Sequence, residues 1–429
     1  MRAPETPTQR TIEAVWRIEA ARLIGGLARL VRDVDRAEDL AQEALLSALE
    51  RWPETGIPDN PGAWLMTAAK NRAVDEARRR AMMRDKHASL EGEAERWTAI
   101  DEQALDEPVG DDVLRLMLIA CHPVLSREAR VTLTLRLVAG LSTAEIARAF
   151  LTSEATTAQR IVRAKRTLSE AKVPFELPAR GELRARIPPT LEVVYLVFNE
   201  GYSATAGDDC LRHDLCEEAM RLGRILTSLV PDDAEAHGLL ALMELQASRA
   251  RARTGPHGEP VLLAEQDRGR WDRLLITRGF ESLRRAESLQ RPLGPYALQA
   301  AIAACHAVAP RIEDTDWERM VALYDALVEI TGSPVVELNR AVAVSRAFGP
   351  EEGLSLLDEL ADEPALRDYS YLPAARGDLL SKLGRGAEAK AEFERAAALA
   401  THARDRALLL ARAAEHGSPA PPRDTRESN

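Results

Sequence analysis

A chain of 429 residues, 45% hydrophobic, 29% charged and only 4% aromatic, is long enough for two to four domains. Its aliphatic content supports a sizeable core, which excludes disorder for most of the chain, and abundant Ala, Leu, Arg and Glu with few β-branched runs predict an all-α fold. No stretch approaches about 20 uncharged apolar residues, so no membrane span is expected; Met1–Arg10 has no apolar signal-peptide core, and a cytoplasmic chain is expected.

The formal net charge of −11 looks wrong for a nucleic-acid binder, but its distribution says more than its sum. Residues 70–86 hold seven basic groups against three acidic ones, and residues 113–172 hold ten against four. Between them, residues 89–112 carry nine acids and one Arg, and residues 173–429 hold 31 basic and 41 acidic groups. Phosphate neutralisation is local, so basic islands count even in an acidic chain. The plain alternative is a pair of solvated basic helix faces.

In chain order the sequence divides into a helical module at 10–80, an acidic linker at 81–112 and a second small helical module at 113–172. After a junction containing Pro174, Pro178, Pro188 and Pro189, a helical body runs over 173–415, and 416–429 is polar, Pro-rich and expected to be disordered. In the first module, Asp39–Trp52 reads as an amphipathic helix with Ala41, Leu45, Ala48, Leu49 and Trp52 on one face. Asp39, Gln42, Glu43, Leu46 and Glu50 share the other, an acidic surface with an apolar centre that suits a basic partner helix. The next helix opens at Asn60-Pro61, an N-cap followed by proline at the first helical position. Along it Asn71, Asp75 and Arg78 fall on one face, and Arg78–Arg80 also suit the helix dipole.

The sharper motif lies in the second module. Leu141-Ser142-Thr143-Ala144-Glu145 opens a short helix with a capping-box pattern, Leu151-Thr152-Ser153 interrupts it, and Thr156–Leu168 resumes as a helix. On the wheel of that helix Ala158, Ile161, Val162 and Leu168 line the inner side, with Lys165 among them. Thr156, Gln159, Arg160, Arg163 and Thr167 cluster outward, which predicts a helix-turn-helix able to hydrogen-bond base edges and phosphates.

Other chemistry is thin. Cys121, Cys210, Cys216 and Cys305 are too scattered for a disulfide framework. Cys210, His213 and Cys216 share a helix face, but zinc takes four ligands and no second pair is near, so packing is expected rather than a metal site. No Ser or Cys sits in a nucleophile context, and Glu200 in Asn199-Glu200-Gly201-Tyr202 has no partner base. Neither a cofactor nor an enzymatic activity is expected.

Asp39-Leu40-Ala41-Gln42-Glu43, then Trp64-Leu65 with Asn71, Asp75 and Arg78-Arg79-Arg80, then the Leu141–Arg166 helix-turn-helix together resemble a bacterial RNA polymerase sigma factor of the extracytoplasmic-function (ECF) group over residues 10–172. The resemblance implies that 10–80 correspond to sigma domain 2 and 113–172 to sigma domain 4. It implies that Asp39, Gln42, Glu43 and Leu46 meet the beta-prime clamp helices of core RNA polymerase, with domain 4 at the beta flap. Asn71, Arg72, Asp75, Arg78 and Arg79 would open and read the −10 element of promoter DNA. Thr156, Thr157, Gln159, Arg160 and Arg163 would read the −35 element. One departure is Ala158, where family members often carry Lys or Arg; the wheel places it inward, so little change in phosphate contact is expected.

Residues 173–429 resemble the long C-terminal extension of one ECF subgroup, notably at Tyr195-Leu196-Val197-Phe198-Asn199-Glu200-Gly201-Tyr202. Gly377, Ala389, Phe393 and Ala396 fall at tetratricopeptide-like positions, and Gly353 and Ala389 are 36 residues apart, near that repeat's period. Such stacked helical pairs serve partners, so this body is expected to modulate sigma activity and to receive a regulatory protein. Two other classes compete: a helix-turn-helix regulator that never enters polymerase, and a tetratricopeptide adaptor. The acidic Asp39–Glu50 face favours the sigma reading, because a plain repressor has no need of it.

Overall fold

The computed structural model describes residues 7–86, 109–150, 152–175, 178, 180–203, 210–255, 261–400 and 403–416. Its described residues form α-helices and short 3-10 turns, and none of the helices is long and apolar enough to cross a membrane. The expected all-α fold is what the chain adopts. The helices fall into two compact units, one ending at Pro231 and the other beginning at Asp232.

The first unit opens with α1 (Pro7–Val31), α2 (Val34–Thr55) and α3 (Pro61–Lys86). Asp33 caps α2 by accepting from the Arg36 N–H at 3.0 Å, and Asn60 caps α3 by accepting from Ala63 at the same distance. Leu23, Ile24 and Leu27 of α1, Leu40, Ala44 and Trp52 of α2, and Leu65 and Ala69 of α3 form the core, each at most 2% exposed. Trp52 meets Trp64 edge-on at 5.3 Å between ring centroids, which fixes α3 against α2.

The unit continues with α4 (Val109–Ala120), α5 (Arg127–Leu137), α6 (Thr143–Ala149) and α7 (Glu154–Glu170), followed by α8 (Arg180–Ser203) and α9 (Cys210–Leu229). The capping box at α6 is present in full, Ser142 and Glu145 each serving the other's backbone N–H. Four residues separate α6 from α7, and Ser153 caps the second helix by accepting from Thr156 N–H at 3.0 Å. Pro188 and Pro189, expected in the interdomain junction, lie inside α8 instead; the helix continues past the two missing donors because its face is buried at Ile187, Leu191 and Val194. Both α8 and α9 pack on the α4–α7 module: Arg221 donates to the Val138 carbonyl at 3.2 Å, and Glu192 pairs with Arg127 and Arg130 at 3.2 and 3.7 Å. The compact units therefore divide after Pro231, whereas the sequence modules were expected to divide at 172/173. Within the Tyr195–Tyr202 motif, Phe198 is fully buried, stacks on Tyr202 and accepts at its carbonyl from Cys216 Sγ.

The second unit contains α10 (Ala234–Ala247), α11 (Arg273–Ser288), α12 (Pro295–Val308), α13 (Trp317–Thr331), α14 (Pro334–Ala347), α15 (Pro350–Glu359), α16 (Tyr371–Lys382), α17 (Gly386–Leu399) and α18 (Ala403–Glu415). Consecutive helices pack on one another along the whole series, as repeated helical pairs do. Glycines permit close approaches between these helices: a Cβ on Gly377 would stand 2.9 Å from the Phe393 ring, and one on Gly353 would stand 2.4 Å from Ser345 Cβ. Ala389, Phe393 and Ala396 are all 0% exposed, so the small and aromatic positions of the repeat pattern are its packing positions. Thr401 and the tail from residue 417 lie outside the described residues, as does residue Leu151 of the expected turn.

Candidate nucleic-acid interface

The α2 surface forms as its apolar spacing dictates. Ala37, Leu40, Ala41, Ala44, Ala48 and Trp52 are buried, Leu45 and Leu49 half-buried, and on the opposite side Asp39 and Leu46 are exposed, Leu46 by 58%. Gln42 and Glu43 are half-buried because each is already engaged: Gln42 donates to Glu38 Oε1 at 2.6 Å, and Glu43 lies 2.9 Å from Arg72 and 3.8 Å from Arg36. Partial burial and then the neighbouring Asp35 hold the Asp39 carboxyl above its usual range, against the pull of Lys165 and Arg36. An exposed leucine beside concentrated negative charge is a surface able to take an apolar, basic helix.

On α3, Asn71, Asp75, Arg78 and Arg79 are exposed together, giving donors and cations for bases and phosphates. Arg72 departs from them. Its guanidinium turns to α2, donating to Ser47 Oγ at 2.7 Å and Glu43 at 2.9 Å, so it braces α3 on α2. A neighbouring brace joins Arg36 to Glu76. The side chain of Arg80 lies outside the described ones.

The inner stripe of α7 is Thr157, Ile161, Ala164 and Leu168, and Thr156, Gln159 and Arg163 are exposed, with Arg160 half-buried. Thr157 is the correction to the expected reading face. Its side chain is 1% exposed and its Oγ1 lies 2.9 Å from that of Thr152, so it ties the turn to the helix and cannot reach a base. Ala158 and Val162 are corrections in the other direction. Both are exposed, Val162 by 65%, because α7 turns its Thr157–Ile161–Ala164 stripe inward rather than the neighbouring one. Ala158 thus leaves a methyl group on the solvent side, where a Lys or Arg would add a cation.

Lys165 carries the arrangement that the sequence concealed. Its ammonium is 2.6 Å from Asp35 Oδ1 and 2.6 Å from Glu38 Oε2, both on α2. Burial opposes its charge, but Glu38 and Asp35 outweigh that and hold its pKa above the ordinary lysine value. Arg136 of α5 reaches the same Glu38 at 2.6 Å and also donates to the Leu141 carbonyl. The one available signal was Lys165 falling among apolar wheel positions; nothing in Ala37-Glu38-Asp39-Leu40 marks Glu38 as buried. Elsewhere, Cys121 is buried with its thiol pushed up to about 11 by that burial, a packing cysteine rather than a reactive one. The side chains of Cys210 and His213 lie outside the described ones, and among the described residues no acid, His or Cys cluster is arranged to hold a metal.

Three family profiles match the chain: sigma-70 region 2 over residues 17–82, sigma-70 region 4 over 115–168, and a family of unknown function, DUF6596, over 186–287. An uncharacterized protein of Rhizobium meliloti (strain 1021) is 44% identical over 388 residues, covering 90% of this chain and 91% of that one. The ECF RNA polymerase sigma factor SigL of Mycobacterium tuberculosis is 32% identical over 158 residues, covering 37% of this chain and 86% of SigL. The same organism's probable ECF RNA polymerase sigma factor SigI is 31% identical over 166 residues, covering 38% of this chain and 56% of SigI.

Proposed function

This chain belongs to the ECF RNA polymerase sigma factors, with a C-terminal extension, and from that premise we propose that it binds core RNA polymerase and directs initiation at promoters carrying its own −10 and −35 elements. Residues 10–80 act as sigma domain 2 and 113–172 as sigma domain 4, and the segment between α3 and α4, residues 87–108, joins them. Asp39, Gln42 and Leu46 dock on the beta-prime clamp helices, with Glu43 holding its charge in place between Arg36 and Arg72. Asn71, Asp75, Arg78 and Arg79 work at the −10 element, and Thr156, Gln159, Arg160 and Arg163 at the −35 element. The polymerisation chemistry belongs to the core enzyme, and this chain supplies recognition.

The observation that carries the reading is the outward face of α7: Thr156, Gln159 and Arg163 are exposed on the second helix of a helix-turn-helix whose opposite stripe is packed. Residues 173–415 modulate the activity. The successive helical pairs of the second unit offer a surface for a regulatory protein.

The test is co-purification of the full-length chain with core polymerase, followed by promoter-directed transcription from the reconstituted pair. Asp39→Lys with Leu46→Ala should weaken core binding about tenfold or more by placing a cation where a basic partner docks and removing the apolar centre. Glu43 is a poor choice for this test, because reversing it would set a lysine against Arg36 and Arg72. Core polymerase that fails to retain the wild-type chain refutes the reading.

A further inference from the structure

Between α10 and α11 of the second unit, two 3-10 turns, Ala250–Ala252 and Arg268–Arg270, pack together just ahead of α11. Residues 249–253 and 266–273 hold six arginines against Asp267 and Asp272, although residues 173–429 as a whole carry 31 basic and 41 acidic groups. Arg251, Gly269, Arg270, Trp271, Asp272 and Arg273 line an open cleft of about 720 Å³ here, a volume suited to a small ligand.

The charge in this cleft is unspent. Arg251, Arg270 and Arg273 are exposed, and among the described residues none of them has an acidic partner. Elsewhere in the unit arginines take one: Arg311 pairs with Asp314, Arg340 with Asp325 and Arg385 with Glu388. The two nearby carboxylates are committed to backbone. Asp267 accepts from the Gly269 N–H at 2.8 Å, and Asp272 caps α11 by accepting from the Leu274 and Leu275 N–H groups at 2.9 and 3.1 Å. The floor is held from behind. Trp271 is 4% exposed, with the Arg268 and Arg249 guanidiniums 5.0 and 5.9 Å from its ring centroid. Arg268 in turn donates to the Ala309 carbonyl at 2.5 Å, and the Asp272 N–H to the Ser248 carbonyl at 2.8 Å. Burial first, and then Arg249, lower the Arg268 pKa, so like charges are crowded here. The Trp271 Nε1–H is a buried donor without an acceptor among the described residues, an unspent hydrogen bond in the lining of the same cleft.

We propose that this cleft binds a phosphorylated small molecule, its phosphate oxygens taken by Arg251, Arg270 and Arg273 and by the Trp271 Nε1–H. Guanidiniums arriving from three backbone positions suit a group with oxygens on every side, which a phosphate has and a planar carboxylate lacks. Duplex DNA is disfavoured, because it asks for a basic strip along its length and the acidic body around the cleft repels it. The site lies within the second unit alone and stands whether or not the chain binds polymerase.

The experiment titrates the full-length chain by calorimetry, at physiological salt and without divalent metal, with inorganic pyrophosphate, ATP, citrate and a short duplex DNA in separate runs. Pyrophosphate or ATP should bind with a Kd below about 1 mM. Tighter ATP marks an organic phosphate as the source, and tighter pyrophosphate marks the free anion. Arg270→Gln with Arg273→Gln should weaken that binding at least about tenfold, as the loss of charge-assisted hydrogen bonds predicts. Arg278→Gln, on α11 outside the cleft, should leave it unchanged. All three of these arginines are exposed, and thermal melts of the free variants check folding. In nitrogen-labelled chain the indole N–H resonance of Trp271, assigned with Trp271→Phe, should shift as the phosphate probe is added. The site is overturned if neither phosphate probe binds below that limit, if the folded double variant binds as tightly as wild type, or if citrate binds as tightly as pyrophosphate. It is equally overturned if only the affinity for duplex DNA falls in the double variant.

Discussion

Thr157 and Arg163 lie on the same helix six residues apart, and their replacement should separate folding from DNA reading. Thr157 is 1% exposed with its Oγ1 2.9 Å from Thr152 Oγ1 across the helix-turn-helix turn. Thr157→Val keeps the shape, removes one hydrogen bond and leaves the half-buried Thr152 hydroxyl short of a partner, a cost of about 1 kcal/mol. In a unit of this size that lowers Tm by about 2–4 °C. Because the outward residues are untouched, promoter preference should stay the same. Arg163 is exposed, so Arg163→Ala should leave Tm within about 1 °C, as surface substitutions do. It should instead cost about 1–3 kcal/mol of promoter affinity if the guanidinium meets a base, or lower the salt slope by about one if it meets a phosphate. Thermal melts report the first effect, and fluorescence anisotropy of the reconstituted polymerase on labelled promoter at several salt concentrations reports the second. Changed promoter preference in Thr157→Val with an unchanged Tm, or unchanged affinity and salt slope in Arg163→Ala, would refute the assignment of inner and outer faces.

A chain ended after Pro231 should keep the first unit intact, whereas one ended at Lys172 strips α8 and α9 from α4–α6 and should lower Tm by about 10 °C or more; equal melts for the two chains would contradict the packing of Glu192 and Arg221 on that module. In the second unit, Gly377→Ala should cost about 1–2 kcal/mol by pressing a methyl group into Phe393, and Phe393→Leu should relieve part of it, giving a coupling of about 1 kcal/mol in a double-mutant cycle of hydrogen-exchange stabilities; strict additivity would show that the two do not touch. His306 is 8% exposed, and its burial, with Arg249 and Arg268 nearby, pushes its pKa down to about 3. The unfolded chain binds the proton below about 6.5 and the folded one does not until about 3. Stability from this group is therefore complete above about pH 6.5 and is lost on acidification toward 3, by about 1.4 kcal/mol per pH unit. His306→Phe, which retains a ring against Trp317, should flatten denaturant-midpoint curves between pH 6.5 and 4 relative to wild type, and parallel curves would refute it.

What the sequence determined by itself was local. The Asn60-Pro61 start and the Ser142/Glu145 capping box are short-range hydrogen-bond devices, and each is readable from a few neighbouring residues. The acidic α2 face with exposed Leu46 follows from a hundred-degree step and needs no partner to be seen. The phase of α7 was harder. A stripe of Ala158, Ile161, Val162 and Leu168 and one of Thr157, Ile161, Ala164 and Leu168 are nearly equal on a wheel. The second is buried because Thr157 finds Thr152 across the turn, a contact that hydrophobicity does not register.

Only tertiary structure decided how charges are spent. Arg72 looked free for DNA until α2 presented Ser47 and Glu43 to it. Glu38 looked like one more solvated acid until Arg136 and Lys165, 98 and 127 positions away in the chain, closed over it. Pro188 and Pro189 looked like a domain boundary until the burial of α8 on the preceding module carried the helix through them. A charge or a proline is assigned its role by what lies opposite, and what lies opposite is fixed by packing between segments far apart in sequence.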